Sequence, residues 1–246
     1  MKALDVDENS LRRPRSKASL ISRIVFNFVH PLCLVIPSVL ITTACWCKGL
    51  THMYTWHVLL TGLGFHLLMA AGVSMLYGGN SFARQSPRST RKTIHWILQS
   101  VGSGCVLIGT VLQYINREKK LKSHFGSLHS IVGLLAVIFV FLSLANGVAA
   151  LFGWKLRRFL RPSLCKLTHH ATGTASFAMG MYAIMLAYEK HIFKEIFPLE
   201  ARIGFVIITV LAGVISLFGV WKNIYHFLYE TFAGCTSTEY ILDDVE

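Results

Sequence analysis

Six runs of predominantly apolar residues, near 20 to 46, 57 to 77, 93 to 115, 128 to 151, 166 to 188 and 202 to 224, are each long enough to cross a bilayer. About 20 residues at 1.5 Å each match a hydrocarbon core of roughly 30 Å. No water is available there, so backbone N–H and C=O groups must bond within the chain, which only helices and closed barrels achieve. The sequence lacks the succession of short alternating strands that a barrel requires. The pattern predicts an all-α polytopic membrane protein, a bundle of six transmembrane helices. With 53% hydrophobic and 15% charged residues, the 246-residue chain is also too apolar for an ordinary soluble domain.

The first nineteen residues are polar, with "RRPRS" ahead of the first run, and that run is too long and lacks the small-residue site of a cleaved signal. The expected organisation is an N-terminal tail over 1–19, one membrane domain over 20–225 and a C-terminal tail over 226–246. Connections between runs are only about 10 to 16 residues long, and no clean internal repeat is visible. Alternating the runs across the membrane places sixteen of the 24 Lys and Arg residues on the side of both termini and eight on the other. The positive-inside rule then puts both termini in the cytosol. The net charge of +12 reads as a topology signal and a match to lipid headgroups, not as a nucleic-acid surface. An "RRPR" tail can be read by an endoplasmic-reticulum retention system, which favours an endomembrane over the plasma membrane, although arginines before a first span also simply set topology. The six cysteines show no zinc spacing.

Histidines mark where four of the runs begin: "TWHVLLTG" carries His57, "TIHWILQS" His95, "SLHSIVGLL" His129, and "LTHHATG" the doublet His169 and His170. Because the runs alternate in direction, His57 and His129 fall near the outer face, and His95 and the doublet near the inner face. An ionisable side chain in a span is costly unless it is partnered. Two neutral imidazoles on facing helices can hold a metal from opposite sides, and a haem is the usual occupant of that geometry in a bundle. Interfacial histidines bonded to headgroups or carbonyls are the plain alternative.

A macrocycle lying on a helix needs small residues below its ligand. Below His169 come Thr172, Gly173, Ser176, Gly180, Ala183 and Ala187, whereas below His170 come Gly173, Thr174, Phe177, Met181, Ile184 and Tyr188. His169 is therefore the expected inner ligand, with His170 turned about 100° away. Similar small residues follow His57 (Thr61, Gly62, Gly64), His95 (Gln99, Gly102, Gly109) and His129 (Gly133, Ala136, Ser143).

The motifs "HWILQ", "LHSIVG" and "KLTHHATG", with spacings of 38 from His57 to His95 and 34 from His95 to His129, resemble the cytochrome b561 family, most of all its short stand-alone members. The resemblance covers roughly residues 20 to 225. It implies two haems b per chain, one held by His57 and His129 on the non-cytosolic side and one by His95 and His169 on the cytosolic side. It further implies an oxidoreductase that takes electrons from cytosolic ascorbate and reduces monodehydroascorbate or ferric ion across the membrane, as a homodimer.

Ascorbate is an anion near neutral pH, so its site needs cations at the inner surface, and Arg88, Arg91 and Lys92 precede His95. Ordinary topology-setting residues would look the same. On the outer side "REKKLKSHFGSLH" places Lys119, Lys120, Lys122 and His124 ahead of His129. Many family members have Asn at the position of His124. His30 and His66 read as bundle histidines with partners, Gln99 and Gln113 as hydrogen-bond donors to ligands or propionates, and Asn146 as a packing residue. A haem-free histidine-containing transporter would show interrupted spans or carboxylates at the midplane, and no Asp or Glu lies within a span core. A cytochrome subunit of a quinone-linked complex would share the histidines and need soluble partners.

Overall fold

The computed structural model describes residues 17–77, 80–156, 158 and 161–243. The expected N-terminal tail, with Lys2, Arg12, Arg13 and Arg15, lies almost wholly outside them, as does Arg157. All regular structure among the described residues is helical. A first long helix consists of α1 (Lys17–Ile24), a π-helical segment (Val25–Val29) and α2 (His30–Lys48). A second consists of α3 (Met53–Gly62), a π-helical segment (Leu63–Met69) and α4 (Ala70–Ser74), and ends in a 3₁₀ turn at Met75–Tyr77. Then follow α5 (Ser81–Gln85), α6 (Arg88–Lys119), α7 (Leu128–Leu151), α8 (Gly153–Leu156), α9 (Pro162–Ala187), α10 (His191–Lys194) and α11 (Leu199–Asp243).

Among the described residues, five helices are long and apolar enough to cross a membrane: Leu20–Lys48, Met53–Ser74, Arg88–Lys119, Leu128–Leu151 and Leu199–Lys222. The fifth expected span coincides with α9, which has the length, at 26 residues. Its apolar character is diluted by Thr168, His169, His170, Thr172, Thr174 and Ser176. Exposed Trp46 and Trp56 lie towards one end of the bundle and Trp96 and Trp221 towards the other, as expected of side chains at a membrane interface. The helix expected to stop near 225 runs on to Asp243.

Helix ends are set by local chemistry. Ser127 and Ser130 form a reciprocal capping box at the start of α7, Asn80 caps α5, and Gly49, at φ +84°, lets the chain leave α2. The two prolines of the first helix remove donors that a regular helix would use. Pro31 lies two residues beyond the π segment, at the start of α2, and Pro37 lies within α2, where it cannot donate to the carbonyl of Cys33 four residues earlier.

The second helix and α6 form one antiparallel pair, and α7 and α9 another. Each pair packs far more closely within itself than against the other, while the first helix and α11 lie along their flanks. Glycines allow the close approach. A β-carbon on Gly64 would lie 2.9 Å from the Gly102 carbonyl oxygen, and one on Gly102 would lie 3.1 Å from that of Gly64. Two tethers keep the ends of the bundle in step. The Asn27 side chain accepts the Ser81 N–H at 2.7 Å at one end, and Lys48 pairs with Glu195 at the other.

Candidate functional site

Each of the four span-starting histidines donates from Nδ1 to a backbone carbonyl of the helix beside it. His57 on α3 reaches Gly109 of α6 at 3.0 Å, and His95 on α6 reaches back to Gly72 of α4 at 2.8 Å. In the other pair, His129 on α7 reaches Ala183 of α9 at 2.9 Å, and His169 on α9 reaches Ser143 of α7 at 3.0 Å. A carbonyl can only accept, so Nδ1 carries the proton in all four rings, and each Nε2 keeps its lone pair. The structure thus contains a repeat that residue identities do not display: two antiparallel helix pairs, each exchanging a histidine at both ends.

The rings meet in twos across the gap between the helix pairs. The His57 and His129 ring centroids are 6.4 Å apart with planes at 84°, and those of His95 and His169 are 6.3 Å apart at 88°. His170 is 6.1 Å from His169 and takes no part in this pairing. Fourteen residues separate His95 from Gly109 on α6, so the two levels lie about 21 Å apart by helix rise.

The geometry suits a metal held between two imidazoles. Two metal–nitrogen bonds of roughly 2.0–2.1 Å, added to the half-widths of the rings, place the centroids about 6 Å apart. No group of three or more His, Cys, Asp or Glu side chains converges on a point among the described residues. Paired single ligands fit a metal that brings its remaining ligands with it, as haem iron does. Below His129, a β-carbon on Gly133 would meet nothing within 4 Å, which leaves room beside that ring.

Most of the small-residue stripe of α9 has a different use from the one its pattern suggested. Thr172 accepts from Asn146 at 3.2 Å, Gly173 lies against Ser143, and Ser176 donates to the Ala136 carbonyl at 3.4 Å. These contacts bring α7 close enough for the histidine–carbonyl exchange. Gly102 and Gly109 of α6 play the same part against the second helix.

The expected polar neighbours fall in varied places. Gln99 donates to the carbonyl of Met69 at 3.0 Å, and Gln113 accepts from Asn116, so both are committed within the protein. His30 bonds Ser216 at 2.8 Å. His66, fully buried, bonds the Cys33 carbonyl at 3.0 Å, the same carbonyl that Pro37 leaves free. Arg88 and Lys92 are exposed, whereas Arg91 donates to the Leu76 carbonyl at 3.1 Å at the end of the second helix. At the opposite face Lys120 and Lys122 are exposed. His124 stacks on Tyr114, with centroids 4.3 Å apart, and bonds Glu118 at 2.7 Å.

Residues 56–194 match the family model described as eukaryotic cytochrome b561, and all four paired histidines lie within that stretch. The chain is similar to transmembrane reductase CYB561D2 of Mus musculus and of Bos taurus, at 30% identity over 136 residues in each case. The Homo sapiens protein of that name is 29% identical over 136 residues. Each match covers 55% of this chain and 61% of the relative, so the likeness spans about three fifths of those proteins. A bundle that sets histidines in facing pairs, with the family match running through every one of them, places this chain in the eukaryotic cytochrome b561 family of haem b proteins.

Proposed function

We propose that this chain is a transmembrane electron carrier. It holds two haems b in a six-span bundle, takes electrons from cytosolic ascorbate and delivers them to monodehydroascorbate or ferric ion on the other side. The single observation that carries this reading is the duplicated site: two facing histidine pairs, His57 with His129 and His95 with His169, one towards each end of the bundle. Haem b bound between each pair supplies one-electron carriage. The chain's own contribution is to fix four imidazoles by their Nδ1 bonds, to present Nε2 and to keep water out of the space between the levels. α9 serves as the sixth span in this reading, because its polar side chains are used inward against α7.

The charges near the inner pair favour an anionic donor. Arg88, Arg91 and Lys92 occupy the first turns of α6, where the helix dipole disfavours positive charge. They therefore gain nothing from the helix itself. Arg117 and Lys119, in its last turn, do gain from it. Exposed Arg88 and Lys92, with Arg91 bridging to the second helix, are assigned to the ascorbate side, and Lys120, Lys122 and His124 to the acceptor side. The excess of cations on the Arg88 side supports cytosolic termini. The same reading takes 20–225 as the membrane domain of a homodimer in an endomembrane, and the relatives' description as transmembrane reductases agrees with it.

Sealed vesicles with the Arg88 side outward provide the test. External ascorbate should reduce bis-histidine haem in the membrane, with low-spin α and β bands and two haems per chain, and trapped ferric chelate should then be reduced. A colourless preparation, or haem that external ascorbate does not reduce, would overturn the proposal, and trapped chelate that stays oxidised while the haem is reduced would overturn ferric ion as the acceptor.

A further inference from the structure

The second helix differs from its three counterparts by one residue. Each paired histidine has, further along its own helix, the carbonyl that accepts the opposite histidine of its helix pair. From His95 to Gly109, from His129 to Ser143 and from His169 to Ala183 this interval is 14 residues, but from His57 to Gly72 it is 15. In an unbroken α-helix the extra residue would turn the Gly72 carbonyl by about 100° away from His95. The π segment Leu63–Met69 lies inside the long interval, and a π-bulge is the form in which a helix absorbs one added residue.

Two side chains hold that bulge. Within it, His66 donates from Nε2 to the Cys33 carbonyl at 3.0 Å, which is free because Pro37 has no N–H. The other nitrogen, Nδ1, is buried without a partner, so an imidazole at this place costs desolvation that a single bond must offset. At the end of the bulge the Met69 carbonyl accepts from Gln99, one turn beyond His95 on α6.

We propose that His66 is a positioning residue for His95: locked into the gap that Pro37 leaves, it pins the bulge and so keeps the Gly72 carbonyl in line with His95 Nδ1. The inference rests on the reading of His95 as a haem ligand. Its loss should act on one haem only, because a His95 that no longer donates to Gly72 is a weaker donor to oxidised iron, while His57 and His129 are bonded elsewhere.

The test compares His66→Leu, His66→Gln and the double variant His66→Leu with Pro37→Ala in the full chain, by redox titration and EPR of each haem. The inner haem is identified as the one lost in His169→Ala. In His66→Leu the reduction equilibrium of the inner haem should shift about tenfold towards the reduced form, or about 59 mV for a one-electron couple, with an altered EPR signature and an unchanged outer haem. His66→Gln, which keeps a donor, should stay close to wild type. Pro37→Ala supplies the missing N–H to Cys33, so the double variant should regain thermal stability and still show the shifted inner haem. Should the single variant not fold, the double variant decides. An unshifted inner haem in the double variant would mean that His66 merely fills a free carbonyl, and would overturn the proposal. A colourless wild type would overturn the functional reading and this inference together, whereas a normal diheme wild type with unshifted variants would overturn this inference alone.

Discussion

The ring of Phe65 rests on the backbone of Gly180, where any β-carbon would overlap it. Phe65 belongs to the π segment of the second helix and Gly180 to α9, so the contact joins the two helix pairs between the two histidine levels. Gly180→Ala should push the pairs apart, cost about 1–3 kcal/mol as overpacking does, and lower haem content at both levels. Phe65→Leu in the same chain should recover much of that loss, and thermal melts with haem quantitation of the single and double variants check the coupling.

Gly147 lies against the ring of His169, with a built β-carbon 3.1 Å from Cε1. Gly147→Val should displace that ring from its bond to Ser143 and reduce the inner haem while the outer one stays. Equal loss of both haems in pyridine hemochrome assays would mean that the substitution damages the bundle as a whole.

His57→Ala and His129→Ala should each remove the outer haem signal, and His95→Ala and His169→Ala the inner one. His170→Ala should keep both, since the ring set against His95 is that of His169. Low-temperature spectra of the five variants resolve the assignment.

Arg91 and its neighbours should separate. Arg88→Gln with Lys92→Gln should slow reduction by ascorbate several-fold, flatten its salt dependence and leave the melting temperature unchanged. Arg91→Gln should also lower the melting temperature, because its guanidinium holds the Leu76 carbonyl at the end of the second helix.

Acid should loosen the outer loops through Glu189. The Arg202 guanidinium first, and the Lys194 ammonium second, hold its carboxyl below the ordinary value of 4.5. A depressed folded value means that the stabilisation is present above about 4.5 and is lost as the pH falls further, towards the folded value. Melting temperature followed downward from that point should drop less steeply in Glu189→Gln than in wild type.

The helices and the histidine levels could be read from the sequence because hydropathy and alternation of direction fix them independently of packing detail. A run of twenty apolar residues allows little besides a span, and His95 must then lie opposite the end that bears His57. The carbonyl partners could not be read, because a backbone acceptor leaves no mark in residue identity. The small residues after His169 were legible as a surface that something approaches closely, but a helix and a macrocycle impose the same demand, and α7 takes most of it. Gln99 looked like a group serving the cofactor, and its amide N–H bonds the Met69 carbonyl, a backbone acceptor that residue identity does not mark. The hydrogen-bond repeat stayed hidden for a further reason: one residue too many between His57 and Gly72 breaks the numerical match until the bulge is seen.

The four Nδ1–carbonyl bonds also fix the shape of the space between the helix pairs. A ring tied by one nitrogen to the backbone of the helix beside it has little rotational freedom left, so whatever bonds its other nitrogen loses little entropy in ordering it. The imidazoles thus behave as part of the backbone scaffold rather than as mobile side chains, and each helix pair carries its two histidines as one rigid unit.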